Sequence, residues 1–153
     1  MAIGMLCVLG AGGLLVHNHL EEKRAEALAD KLYQRIVESL PDDKNPPQYD
    51  EKTKEPFVEL DGEGYMGVLQ IPALDLSLPV AAKLTDAELQ QSPCRYSGKL
   101  DDQLVIGAHN YRRHFGPLSR LAYGNEIVFV DAVGVSHRYQ VDEMTTVQPT
   151  QVK

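Results

Sequence analysis

The chain has 153 residues, which suits one domain with an appendage. Its formal net charge is −7 and no polybasic tract occurs in it, so nucleic acid is disfavoured as a partner. With 12 Gly, 9 Pro, no Trp and only 3 Phe, the composition favours a β-rich domain that has many turns.

The first segment is apolar and carries no charge from Met1 to Val16. A helix of that length is slightly short for a hydrocarbon core of ~30 Å. It is long enough for the apolar region of a signal peptide, but no basic residue precedes it and no clear cleavage site follows it. A buried core helix is the alternative, but the glycines and the lack of polar residues at helical spacing argue against it. We predict a membrane anchor or signal-anchor over residues 1–18.

Residues 19–40 are predicted to form a juxtamembrane helix, because Leu20, Leu28 and Leu32 recur at multiples of four. Pro41 ends the pattern. Residues 41–56 are rich in proline and charge and are predicted to be a linker. The folded domain is then expected over residues 57–153.

From residue 65 the pattern changes to strands. A first strand is predicted over residues 66–72, and a second over residues 74–80 with alternating leucines on one face. A short helix follows, with Thr85 as its N-cap and Glu88 completing a capping box.

The next part of the chain is predicted to be a loop over residues 93–102 and a buried strand over residues 103–108. A helical turn begins near Pro117, and two strands joined by the turn Asp131–Gly134 come after it. About five strands with open edges indicate part of a closed β-barrel rather than a complete one.

His109 follows the buried strand, and the residues alone leave several roles open for it. It could be an ordinary loop histidine, or a metal ligand with His114 and His137, although their spacing matches no ligand pattern. It could also be the base for the Cys94 thiol, with Arg95 adjacent to stabilise a thiolate.

Five stretches, in order and with natural spacing, resemble the sortase family over roughly residues 67–153: GVLQIPALDLSLPV, SPCRYSGKL, LVIGAHNYRRHFGPLSRL, GNEIVFVD and HRYQVDEM. Sortases are cysteine transpeptidases on the outer face of the Gram-positive cell membrane. The detail is more similar to the class B and class D-like branches than to class A. The resemblance implies a mostly β fold: an incomplete sortase-type β-barrel with short helices, after an N-terminal anchor or stalk helix.

The resemblance makes His109 the active-site histidine, which donates a proton to the leaving amine. Asn110 becomes a candidate hydrogen-bonding neighbour. Arg112 and Arg113 could position substrate or simply be solvated. The family's nucleophilic cysteine and oxyanion arginine would lie in later strands, and Cys94 does not match that cysteine. We therefore expect a chain that is truncated before the nucleophile and inactive alone, with no cofactor and no metal.

The implied function of the complete protein is cleavage of a Leu-Pro-x-Thr-Gly-like sorting signal on surface proteins. The acyl group would pass to an amine on a peptidoglycan precursor or a pilin. The expected location is the cell membrane, crossed once, with the β-domain outside the cell. The alternative is a non-catalytic, membrane-tethered β-domain that binds a partner.

Overall fold

The structure, a computed structural model, describes residues 48–147. Before them it describes single positions between Val16 and Arg35, namely 16–17, 19–20, 23–24, 27, 31 and 33–35. The elements of the domain are β1 (Gln48–Tyr49), β2 (Pro56–Leu60), β3 (Glu63–Ile71), β4 (Leu76–Ala81), α1 (Asp86–Gln91), β5 (Cys94–Ser97), β6 (Val105–Gly107), β7 (Glu126–Asp131) and β8 (Ser136–Gln140). Two 3-10 turns span Pro72–Leu74 and Gly116–Arg120.

The strands form one branched sheet that is centred on β3. Strand β3 pairs antiparallel with β2, β4 and β7. From β4 the sheet continues through a parallel contact to β5 and an antiparallel pair with β6, and from β7 it continues to β8. The described fold is thus mostly β, a curled part of a barrel with short helices, as predicted.

Residues of β3 contribute to two apolar clusters on opposite faces of the sheet, with the alternation shifted at Gly67. One face carries Tyr65 and Val68, with Cys94 and Val130 from neighbouring strands. The other face has the larger cluster, whose members come from β3, β4, β7 and the turns. Its buried residues are Met66, Leu69, Ile71, Leu74, Leu76, Leu78, Val80, Ala82 and Phe129.

Gly67 permits the central pairing of the sheet. A Cβ added there would stand 2.2 Å from the carbonyl oxygen of Val130 and 2.9 Å from the Cα of Asp131. The register between β3 and β4 also shifts between Tyr65 and Gly67. A residue without a side chain is therefore required where β7 approaches β3.

Several local predictions are confirmed. The N-cap at Thr85 forms, since its hydroxyl accepts a hydrogen bond of 3.1 Å from the backbone N–H of Glu88. The Glu88 carboxylate accepts a bond of 2.9 Å from the same hydroxyl, which differs from the bond to the backbone N–H of the N-cap residue that defines a capping box. The turn near Pro117 and the hairpin around Asp131–Gly134 also form as expected. These features depend on contacts between residues that are close in sequence.

Three predictions are wrong. The buried strand expected over residues 103–108 is the three-residue β6, in which Val105 is exposed and the other two residues are half-buried. The strand expected over residues 74–80 begins at Leu76, because Pro72 starts a 3-10 turn that Asp75 closes with φ 53° and a hydrogen bond to the Pro72 carbonyl. The loop expected over residues 93–102 contains strand β5. Pairing with β6 and with Ala81 creates this strand, and neither contact is local in the sequence.

The described positions between Val16 and Arg35 are helical, in the region where a juxtamembrane helix is predicted. Tyr33 packs against the cluster around Tyr65, and Lys31 pairs with Asp61 at 2.9 Å. Among the described residues, no helix combines the length and the apolar character needed to cross a bilayer. The anchor predicted over residues 1–18 falls almost wholly outside them. Strand β1 lies inside the predicted linker.

Replacing Thr85 with Ala is expected to lower the free energy of unfolding by about 1 kcal/mol, because it removes the N-cap of α1. Urea denaturation at neutral pH measures the change. Thr85→Ser is the matched control and should retain most of the stability, since its hydroxyl can make the same bonds. Equal losses in both variants would show that the hydroxyl does not cap the helix.

Candidate functional site

His109 lies two residues beyond the end of β6. Leu104 and Ile106 pack into the larger apolar cluster, whereas Val105 between them is exposed. Gly107 is the register partner of Cys94 on β5. The anchored strand therefore delivers a half-buried His109 to the edge of the sheet.

The loop after His109 is closed by three backbone hydrogen bonds. The Tyr111 carbonyl accepts from the N–H groups of His114 (3.0 Å) and Gly116 (2.9 Å), and the His109 carbonyl accepts from Phe115 (3.3 Å). A Cβ at Gly116 would stand 2.6 Å from the Tyr111 carbonyl oxygen. The tight return of this loop therefore requires glycine at position 116.

Three rings lie in series in this loop. The ring centroids of His109 and Tyr111 are 4.8 Å apart with planes 31° apart, and those of Tyr111 and His114 are 5.3 Å and 53° apart. Aromatic rings attract one another at such separations. The arrangement links the candidate catalytic ring to a histidine in the protein interior.

His114 is only 3% exposed. Its burial lowers the pKa of the imidazole, a hydrogen bond with the backbone of Gln91 acts in the opposite direction, and the charge of His109 lowers the pKa further. Among described residues, its Nδ1 is buried without a hydrogen-bond partner. A neutral ring therefore fits this position better than a charged one.

The other predicted site residues follow His109 in the same loop. Asn110 is exposed, and its Oδ1 lies 3.3 Å from where a Cβ of Gly116 would stand. Arg112 is exposed and Arg113 is half-buried. Their roles stay predictions.

Cys94 does not have the environment of a nucleophile. The side chain is fully buried, and the thiol donates a hydrogen bond of 3.4 Å to the carbonyl of Ser92. Burial, with a smaller contribution from the charge of Glu88, raises the pKa of the thiol to about 11. Its reactive thiolate is therefore scarce at neutral pH, which argues against the pairing of Cys94 with His109 as nucleophile and base.

His137, the third histidine in the metal-ligand alternative, has a different partner. Its Nε2 lies 2.9 Å from Oδ2 of the buried Asp131, across the β7–β8 hairpin. In the described part of the chain, no group of three or more His, Cys, Asp or Glu side chains is arranged to hold a metal ion.

A second group of polar side chains surrounds Arg95 on β5. Arg95 donates from Nε to the Ala82 carbonyl at 3.0 Å and pairs with Asp50 at 3.6 Å. The N–H groups of Thr53 and Lys52 and the Arg95 charge lower the pKa of Asp50, with burial opposing them. Both residues line a cavity of about 780 Å³ whose wall does not include His109. This group is therefore separate from the candidate site.

The sequence analysis missed Tyr111 and His114 as contributors to the site. His114 was considered only as a metal ligand, and Tyr111 was given no role. An available signal was the position of four ring residues, His109, Tyr111, His114 and Phe115, just before a Gly-Pro pair, since a chain that turns back there brings side chains together.

Iodoacetamide is expected to label Cys94 at least ~100-fold more slowly in the folded chain than in urea, because a thiol with a raised pKa is mostly protonated. Mass spectrometry of the peptide that contains Cys94 separates its labelling from that of Cys7. The same peptide in the urea-unfolded chain is the internal control. Rapid labelling of the folded chain, with an apparent pKa below 8, would restore Cys94 as a nucleophile candidate.

His114 should make the domain less stable in acid. Its pKa is lowered on folding from 6.5, so the unfolded chain binds the proton more readily. The stabilisation is therefore complete above pH 6.5 and is lost as the pH falls through the folded pKa, by up to about 1.4 kcal/mol per pH unit. Urea denaturation from pH 7.5 to 5 checks the slope, and His114→Gln should reduce it. An NMR titration midpoint of His114 at or above 6.5 would contradict the assignment.

The comparisons with known proteins agree with the fold and with the sequence motifs. A family model described as a sortase domain matches residues 69–153. No protein of curated function matches the chain.

Among solved structures, sortase C1 from Streptococcus agalactiae is 25% identical with a TM-score of 0.55, and the match covers 62% of this chain and 53% of that one. Sortase C1 from Streptococcus suis is also 25% identical, with a TM-score of 0.51 and coverage of 78% and 74%. Sortase C from Streptococcus pneumoniae, at 19% identity and a TM-score of 0.53, shares the fold, with coverage of 88% and 75%.

The chain thus spans about half the length of the Streptococcus agalactiae structure. Because the family model matches more than half of the chain, and includes β4 to β8 and His109, the chain belongs to the sortase family.

Proposed function

We propose that this chain is the N-terminal part of a sortase-like cysteine transpeptidase, with His109 as its acid catalyst. The observation that carries the proposal is the position of His109: it lies at the end of an anchored strand, within the segment that the sortase model matches. The half-buried imidazole keeps one side accessible to a substrate.

In the proposed reaction, a cysteine thiolate attacks the carbonyl carbon of the Thr-Gly peptide bond in a Leu-Pro-x-Thr-Gly-like sorting signal. The tetrahedral intermediate collapses as the carbon–nitrogen bond breaks, and His109 donates its proton to the leaving amine. An amine on a peptidoglycan precursor or a pilin then attacks the acyl-thioester. A proton returns from that amine to His109, and the thiolate is released.

We place the nucleophilic cysteine and the oxyanion-stabilising arginine of this reaction beyond Lys153, so that the 153-residue chain alone is inactive. The described domain offers one cysteine, Cys94, and its burial and raised pKa make it unsuitable. Strand β6 has one described neighbour, β5, so its other edge could accept a further strand beside His109.

We further propose a cellular location for the protein. An anchor over residues 1–18 would hold the protein in the cell membrane by a single crossing, with the β-domain outside, where sorting signals and acceptor amines occur. The packing of Tyr33 on the domain supports a stalk that ends close to the folded part. The nearer similarity to class B and class D-like branches stays a prediction.

A second candidate function is a non-catalytic domain that is tethered to the membrane and binds a partner. The burial of Cys94 favours it, because the described domain then keeps the sortase fold without a reactive thiol. The two functions differ in what the gene encodes after Lys153 and in whether His109 matters for turnover.

The experiment compares the 153-residue chain with the longer product of the same gene, using a fluorogenic Leu-Pro-x-Thr-Gly peptide and triglycine as the acceptor. The short chain should give no turnover. The longer product should cleave the peptide, and His109→Ala should reduce kcat/KM by at least ~100-fold, as expected when a proton donor is lost.

The matched control is His17→Ala, which removes an exposed histidine of the N-terminal helix. Turnover by the short chain would contradict the missing nucleophile. Turnover that survives His109→Ala in the longer product would contradict the role of His109. A gene that encodes no further cysteine would favour the non-catalytic function.

A further inference from the structure

The loop after His109 is anchored at its far end. His114 is buried and hydrogen-bonds with the backbone of Gln91, at the end of α1. Its own N–H binds the Tyr111 carbonyl, which the Gly116 N–H also contacts. Tyr111 therefore has its backbone fixed from two sides, although 48% of the residue remains exposed.

The Tyr111 ring lies between two imidazoles. One is the buried ring of His114, and the other is His109, whose ring is more nearly parallel to that of Tyr111. A ring held by a buried neighbour can restrict the next ring in the series, because aromatic contacts constrain orientation as well as distance. An exposed tyrosine in an ordinary polar loop would not need such a neighbour.

We propose that Tyr111 is a positioning residue: braced by His114, its ring holds the imidazole of His109 in one orientation at the end of β6. The role of Tyr111 is physical contact, and no proton passes through it. When His109 is protonated, the face of the tyrosine ring also attracts the cation.

For His114 to support Tyr111 against His109 in this way, the His114 ring must be neutral. The described groups that act on the His114 ring include Tyr111 and His109 in its own loop and the Gln91 backbone in α1. A second positive charge at His114 would repel protonated His109 through the intervening ring. A buried, neutral imidazole supplies the contact without that repulsion.

The importance of this positioning of His109 for catalysis rests on the proposed function. Whether Tyr111 positions His109 can be tested in the 153-residue chain without any turnover. NMR spectra of the full chain with ¹³C-labelled histidine, kept in detergent micelles, measure the chemical shifts of the His109 ring. The ring current of Tyr111 is expected to displace these shifts. Tyr111→Leu should return them toward free-histidine positions. Tyr111→Phe should keep them displaced, since the ring remains.

A second measurement uses diethyl pyrocarbonate, which modifies accessible imidazoles. Tyr111→Leu should speed the modification of His109 by about 2- to 10-fold, the factor that corresponds to the strength of one aromatic pair. Tyr123→Leu is the matched control: Tyr123 is 80% exposed on the loop before β7, so its loss should leave the rate and the signals unchanged.

The outcomes separate the brace from the proposed function. If the His109 signals and modification rate are the same in Tyr111→Leu as in the unmodified chain, the positioning role is wrong, whatever the enzyme does. If they change and the longer gene product loses kcat at constant KM, with recovery in Tyr111→Phe, the role extends to catalysis. If they change while His109→Ala leaves turnover intact, the brace stands and the assignment of His109 as the acid fails.

Discussion

The close approach of β7 to β3 at Gly67 is the constraint on which the described fold depends. Any side chain there would meet the backbone of Val130, so the pairing exists because the position carries only hydrogen. Through this pairing β7 contributes Phe129 to the larger cluster and Val130 to the opposite one, which completes both faces of the sheet. With β3 flanked on both sides, the strands that follow can extend the sheet outward from a fixed centre.

The strands that continue the sheet from β3 through β4 and β5 to β6 position the candidate site. Ala81 on β4 pairs with Cys94 on β5, and Cys94 pairs with Gly107 on β6, just before His109. Cys94 is therefore close to His109 in the sheet but serves packing, since its thiol points into a dry cluster and keeps its proton. His109 lies beyond the packed residues, where one side of its ring can contact the protein and the other side can remain accessible. One short stretch of sheet thus separates the buried Cys94 from His109, the candidate site residue.

The sequence predicted those parts of the fold that rest on neighbours in the chain. Thr85 with Glu88, Pro117 in its turn, and the inward leucines of β4 are readable because their partners are a few residues away. Strand β5 was missed because its four residues lie between Pro93 and Gly98 and become a strand only by pairing with β6. The interpretation of His109 comes from its motif, whereas its contact with Tyr111 depends on how the loop returns at Gly116.

Asp131 has a consequence for the order in which the sheet can assemble. Its carboxylate accepts the N–H groups of Val133 and Val135 at 3.0 and 2.9 Å and also contacts His137, so one side chain closes the turn and links both strands of the β7–β8 hairpin. These partners are near in sequence, and closing so short a loop costs little chain entropy. Pairing of β7 with β3 must instead bring together residues far apart in the sequence, such as Val68 and Val130. The hairpin is thus suited to form early and to dock on β3 as a ready-made pair, which lowers the topological barrier to folding.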